Sequence, residues 1–187
     1  MWQLARMAAL ALALVAGPAE AATEWKVEPE ESRILFRYEA DGKPTEGVFT
    51  RFSGEGRFDP KAPEEATLTL RIESASIDLG DPKASAFATS AEWFDSANHP
   101  EIVYRLDALT LLEGDRYRAD GELTIRNRTR LIVTTVELHV GEQEARASGT
   151  IEINRKDYLL GVGPMSLLVD IGREVAVRFE LVAHPTG

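Results

Sequence analysis

An all-β fold is what the sequence predicts, with about eight long antiparallel strands and one short helical insertion near residues 82–92. Three observations carry this: side chains alternate apolar and polar with period two, turn residues recur at short intervals, and both patterns fail only between Asp78 and Leu106. In that exception Asp81 is placed to cap a helix whose first position is Pro82, where a missing N–H costs nothing. Ala84 to Ala91 are small enough for a short helix, with Phe87 as its large anchor. The helix is expected to fail near Trp93-Phe94, two aromatics that either plug one end of the β-structure or close a cavity.

The chain opens with Arg6, an apolar run from Met7 to Ala16, and the small-x-small site Ala19-Glu20-Ala21. This reads as a secretory signal peptide over residues 1–21, too short to span a bilayer, leaving residues 22–187 as one domain. Ile34, Phe36 and Tyr38 then alternate with Arg33, Leu35 and Arg37, and Asp41-Gly42-Lys43-Pro44 turns the chain. Val48 to Phe58 reads as one strand, bulged or bent at Gly54 and Gly56. Asp59 to Pro63 is a turn, and Leu68, Leu70 and Ile72 begin a strand that runs on, straight or with a bulge, to Ile77. After the insertion come Ile102, Tyr104 and Leu106, a turn at Glu113-Gly114-Asp115, and the clearest half-buried strand, Tyr117 to Arg126. Asn127 turns the chain again. Ile132 to Val140, Ala145 to Ile153 and Val175 to Leu181 supply the remaining strands, and the glycine-bearing segment from Lys156 to Ser166 reads as a loop or flap. Two packed sheets and a closed barrel both satisfy this series.

Net charge is −10. An acidic surface repels phosphates, so nucleic acid is not an expected partner, and overall charge gives no pull toward anionic lipid. The chain has no cysteine, which removes disulfides, thiol chemistry and a lipoprotein anchor. Its three histidines, His99, His139 and His184, are too far apart in sequence for a local metal motif. His99 precedes Pro100 as a turn residue, His139 belongs on an exposed strand face, and His184 lies in the tail. No Gly-x-Ser-x-Gly elbow occurs, and the carboxylates fall at turns or outward positions, so no enzyme and no metal site is read here.

The inward faces carry small residues on two strands: Ala119 and Gly121, then Ala145, Ala147 and Gly149. Such an interior stays partly empty unless aromatics fill it, and eight strands enclose room for packed side chains or one slim ligand.

Several motifs in order resemble the YceI family of exported, lipocalin-like proteins: Ser32-x-Ile34-x-Phe36, Gly47-Val48-Phe49-x-x-Phe52-Ser53-Gly54, Phe58-Asp59-Pro60, Ala75-Ser76-Ile77-Asp78, Trp93-Phe94-Asp95 followed by Pro100, Gly121-Glu122-Leu123-Thr124-Ile125 and Arg155-x-Asp157-Tyr158-x-x-Gly161. The resemblance implies an eight-stranded antiparallel barrel that holds an extended isoprenoid or similar lipid in the periplasm, without catalysis. Phe36, Tyr38, Phe49, Phe52, Trp93, Phe94, Tyr104 and Phe179 are then the expected cavity walls or lids, and Arg155 or Tyr158 the expected headgroup contacts. The partner is a hydrophobic lipid such as a polyisoprenoid, a quinone or a fatty-acyl chain, and a homodimer is compatible with the sequence. Ala40-Asp41-Gly42 stands where many members carry a histidine, Ser85 and Ala88 replace an Asp and a Leu, and Asn127 replaces a glycine while tolerating φ > 0. Ten methylene equivalents buried at about 0.8 kcal/mol each give roughly 8 kcal/mol gross, micromolar binding at best before ordering costs. Two rival readings are a filled core that binds partners and an outer-membrane barrel. Arg71, Arg105, Arg118, Glu122 and Arg178 on the less apolar face argue against a membrane-spanning barrel.

Overall fold

A computed structural model describes residues 22–164 and 169–186 of the chain. Residues 1–21, read above as a signal peptide, and Met165 and Ser166 of the expected flap lie outside the described residues. Eleven strands form one sheet: β1 (Thr23–Val27), β2 (Arg33–Ala40), β3 (Lys43–Phe49), β4 (Phe52–Phe58), β5 (Thr67–Glu73), β6 (Ile77–Asp78), β7 (Glu101–Glu113), β8 (Arg116–Ile125), β9 (Arg128–Val140), β10 (Ala145–Asn154) and β11 (Glu174–Pro185). The one α-helix among the described residues, α1 (Pro82–Ala88), lies between β6 and β7.

The sheet closes because β11 pairs with β10 along one edge and with both β1 and β2 along the other. β1 and β2 are two halves of one stave, as are β3 with β4 and β5 with β6, so the eleven strands make an eight-stave antiparallel barrel. The predicted barrel is therefore found, and the two-sheet alternative is not. The strand at Thr23–Val27, whose alternation is only a few residues long, is not among the strands read from the sequence, yet it completes the closure.

The three split staves break at one level, and buried serines mend the breaks. Between β1 and β2 the Ser32 hydroxyl donates to the Glu28 carbonyl at 2.7 Å and accepts from the Val182 amide at 2.9 Å. At the third break a 3₁₀ turn, Ser74–Ser76, carries Ser74 Oγ, which donates to the His99 carbonyl at 2.7 Å, and Ser76 Oγ, which donates to the Arg51 carbonyl at 3.2 Å. The Thr50 amide reaches the Ser76 carbonyl at 3.1 Å, tying the second break to the third. All three serines are buried, and a hydroxyl is the smallest group able to satisfy a backbone donor or acceptor that has lost its ladder partner.

Local expectations divide along the same physics. The bend expected at Gly54 and Gly56 falls instead at Thr50-Arg51. Those glycines permit close approach: a Cβ on Gly54 would lie 2.6 Å from a Val27 methyl, and one on Gly56 would strike the Thr67 carbonyl. The strand expected to run on to Ile77 is interrupted by the 3₁₀ turn. Asp41 and Gly42 turn the chain with φ of 49° and 72°, leaving Lys43 and Pro44 inside β3. The positive φ in the β8–β9 turn belongs to Arg126, at 55°, and not to Asn127. Asp81 caps α1 as expected, accepting from the amides of Lys83 and Ala84 at 2.9 and 2.8 Å, but the helix stops at Ala88, short of Trp93. His184 lies within β11 and not in a tail.

Replacing Ser32 with Ala leaves the Val182 amide without its partner in a buried crease. The S32A chain is expected to lose about 1–3 kcal/mol of unfolding free energy in urea titrations, with an unchanged slope.

Candidate functional site

Alternation around the barrel points one set of side chains inward, and they gather into two clusters. One lies toward the end that carries α1, built on Ile34, Phe36, Phe49, Ile102, Leu123 and Ile153. The other lies toward the opposite end, built on Trp25, Phe58, Leu109, Ala119 and Val136. Ala147, Phe179 and Ala183 touch both, and a cavity of about 510 Å³ runs between and through them. Its size falls within the range of small-molecule sites.

Seven of the eight expected wall residues, Phe36, Tyr38, Phe49, Trp93, Phe94, Tyr104 and Phe179, line this space. Phe52 does not: it is half-buried and packs against the core without reaching the cavity. The sequence reading overlooked Trp25, Phe58, Leu79 and Phe87, which also line it. Trp25 and Val27 flank Lys26 in a short alternating run, and that was the available signal. The small inward residues behave in two ways. Ala119, Ala145 and Ala147 leave space and line the cavity. Gly121 and Gly149 instead give their space to rings: a Cβ on Gly121 would lie 2.6 Å from the Tyr104 hydroxyl oxygen, and one on Gly149 would lie 2.7 Å from the Phe179 ring.

Aromatics dominate the α1 end. Phe36 packs on Phe49 at 5.3 Å between ring centroids, Phe49 meets Phe94 edge-on at 5.8 Å, and Phe87 meets Trp93 at 6.1 Å. Arg155 fixes the loop that covers this end. Its guanidinium donates to the carbonyls of Gly172, Leu160, Gly161 and Ile171 at 2.8, 2.5, 3.0 and 2.7 Å, and it stacks 5.2 Å from the Trp93 ring centroid. Gly161, at φ 63°, donates its amide to the Glu92 carbonyl at 2.8 Å and leaves room for the indole of Trp93. Leu159 also takes a positive φ, 59°, in the same loop.

The two expected headgroup residues are placed differently. Arg155 lines the cavity, and its guanidinium bonds main-chain carbonyls, so it also fastens the loop. Tyr158 is 1% exposed, packs inside the core and does not face the cavity. Burial, with help from Asp107 and Asp120, pushes the Tyr104 phenol up to about 12. Burial pushes Tyr158 up to about 12 as well, against the opposing charge of Arg130, and raises Tyr38. The polar groups on the wall are few, among them Tyr38, Tyr104, Thr67 and Thr134. Outside the barrel Arg71, Arg105, Arg118 and Arg178 are exposed, so the outer face is charged while the inner one is apolar.

His139 sits on an exposed strand face, 3.1 Å from Asp115. His99 lies in the turn after Asp95. Folding brings Glu31, Glu144 and His184 together, with ligand-type atoms within 4.8 Å of one another. Arg146 already grips Glu144 with two hydrogen bonds, of 2.5 and 3.0 Å, and His184 Nδ1 is engaged with the Gln143 carbonyl at 2.9 Å. Ion pairing accounts for that cluster.

The described residues thus build an up-and-down barrel around an apolar chamber. The YceI-like domain model matches residues 25–183, and the chain belongs to that family. A UPF0312 protein of Photorhabdus laumondii is 27% identical over 134 residues, covering 67% of this chain and 69% of the relative. Among solved structures, BcnA of Burkholderia cenocepacia is 26% identical with a TM-score of 0.76, covering 83% of this chain and 98% of that one. A polyisoprenoid binding domain from Saccharophagus degradans is 16% identical with a TM-score of 0.72, covering 87% of this chain and 98% of that one. That second likeness shows the shared fold.

The phenols supply a pH test. Tyr104 and Tyr158 keep their protons in the folded protein where an unfolded tyrosine, near 10, loses them. Stability is then complete below pH 10 and falls as pH rises from 10 toward 12. The Y104F/Y158F chain should show a flatter decline in urea midpoint over that window; an equally steep one would show that other groups control alkaline unfolding.

Proposed function

We propose that the protein binds an extended apolar lipid, of isoprenoid, quinone or fatty-acyl type, in the barrel interior and carries it in the periplasm. The single observation that supports this best is the cavity of about 510 Å³ walled by aromatic and aliphatic side chains from all around the barrel. An apolar wall with few hydrogen-bonding groups rewards transfer of a hydrocarbon chain from water and discriminates poorly among chains of similar width. The Saccharophagus degradans protein, described as polyisoprenoid binding, supports the isoprenoid class. The signal-peptide pattern in residues 1–21 supports export. The role is binding and not catalysis: the buried phenols are held protonated, and Arg155 is occupied by carbonyls.

The test is mass spectrometry of organic extracts from protein purified out of the periplasm without detergent. A stoichiometric apolar lipid is the expected result, and protein with no lipid that also fails to take up an apolar fluorescent probe would refute the reading. Ala147→Phe projects a ring into the chamber where Ala147 touches both core clusters. It should weaken probe uptake by about tenfold or more while the fold is retained by circular dichroism.

A further inference from the structure

The barrel wall is open along one line. β9 pairs with β8 from Arg128 to Glu137, but with β10 only from Val136 to Val140. β10 from Thr150 to Asn154 has β11 as its only ladder partner. Thr134 Oγ1 donates to the Thr150 carbonyl at 2.8 Å at the upper limit of this opening. At its foot the Arg130 guanidinium donates to the Asp157 carbonyl at 3.0 Å, and Arg126 to the Leu159 carbonyl at 3.1 Å. Thr134, Ile151 and Ile153 line the cavity, so the chamber lies directly behind the opening.

Exposed aliphatics occur on the outer surface at Leu111 and Leu112 of β7 and, more fully exposed, beside this opening. Leu131 is 77% exposed and Val133 58%, both on the part of β9 that lacks a β10 partner, and Leu159 and Val162 are exposed on the loop fastened to its foot. Arg128, Arg130 and Lys156 at the same end have no carboxylate partner among the described residues, and Arg126 reaches Asp95 only at 3.8 Å. The nearby acids are largely answered: Asp120 is bound by Arg118 at 2.7 Å, and Glu122 lies opposite Arg105 in the β7–β8 register. The other acids placed here are Glu152 on β10, Asp157 beside Lys156, Asp95 beside Arg126, and Glu92 against Gly163. A protein of net charge −10 thus presents, at one place, bare aliphatics beside unneutralised cations.

We propose that this face docks on an anionic bilayer, with Leu131 and Val133 entering the interfacial layer and Arg128, Arg130 and Lys156 on lipid phosphates, so that the apolar chain passes sideways through the β9–β10 opening into the cavity. Aliphatics flanked by cations are the chemistry of interfacial binding, where apolar burial and attraction to anionic headgroups add. A pairing strand from a protein partner fits less well. It would need about 4.8 Å on each side of itself, and the Thr134 hydroxyl already bridges the gap. The route through the opening rests on the lipid-binding reading above, whereas the docking itself does not.

The experiment is flotation of the full chain with phosphatidylcholine–phosphatidylglycerol vesicles and with pure phosphatidylcholine vesicles, alongside uptake of an apolar fluorescent probe from solution. Wild type should float with the anionic vesicles and be released by salt. L131N/V133N and R128Q/K156Q should each reduce flotation by about tenfold with unchanged probe uptake from solution and unchanged thermal midpoint. Flotation equal to wild type in both variants overturns the docking face. In a chain without cysteine, V133C/E152C lets a bifunctional maleimide tie the two strands across the opening, at positions that extrapolate the Gly149–Val136 register. Cross-linking should slow probe transfer from vesicles several-fold relative to the untreated form, and equal rates overturn the sideways route. A protein that takes up no probe from solution refutes the lipid-binding reading, and flotation still decides the docking.

Discussion

Everything in this barrel depends on one strand having enough hydrogen-bonding edge. β11 pairs with all of β10 on one side, from Glu174 to Ala183, and is shared on the other between β1 and β2. A sheet that closes this way leaves no free outer edge at the seam, and so removes the pairing hazard that an open sheet carries. The cost is curvature. Three neighbouring staves cannot follow it unbroken, and each is split at the same level. Ser32, Ser74 and Ser76 occupy the crease, where small hydroxyls take over from the interrupted ladder.

Closure of this kind fixes the wall before it fixes the filling. The two ends of the interior are packed by large side chains, with aromatic contacts at the α1 end and Trp25, Phe58 and Leu109 at the other. Ala147 touches both clusters and Ala119 and Ala145 belong with the second, and all three contribute little volume to the interior. The chamber is the space left when a cylinder of fixed diameter is lined by small residues at mid-height. Arg155 then holds a loop over the α1 end by bonding four carbonyls, which a single planar cation with five donors can do and a lysine cannot.

Surface charge shows how a total conceals its distribution. The acidic sum predicts no attraction to anionic lipid, and for most of the outer wall that argument holds. Cations nonetheless collect at the foot of β9 because that strand begins with Arg128 and Arg130 at a hairpin whose turn residue is Arg126. Lys156 arrives at the same end from the turn after β10, a proximity that the antiparallel β9–β10 hairpin creates.

Period-two alternation by itself determined that the chain is all-β, which side chains face inward, and that helix formation is confined to the segment opened by Asp81-Pro82. Strand faces are a local property of the backbone, so they are legible one residue at a time. The same reading placed seven of its eight chosen aromatics on the cavity wall and missed on Phe52, because an inward position near a crease need not reach the centre. What required the tertiary structure was whether space remained. Gly121 and Gly149 look like vacancies in the sequence and are covered by Tyr104 and Phe179, whereas Ala119 and Ala147 leave real space. Whether the volume of an absent side chain is refilled depends on rings that arrive from other strands, and no linear pattern records which ring crosses which glycine.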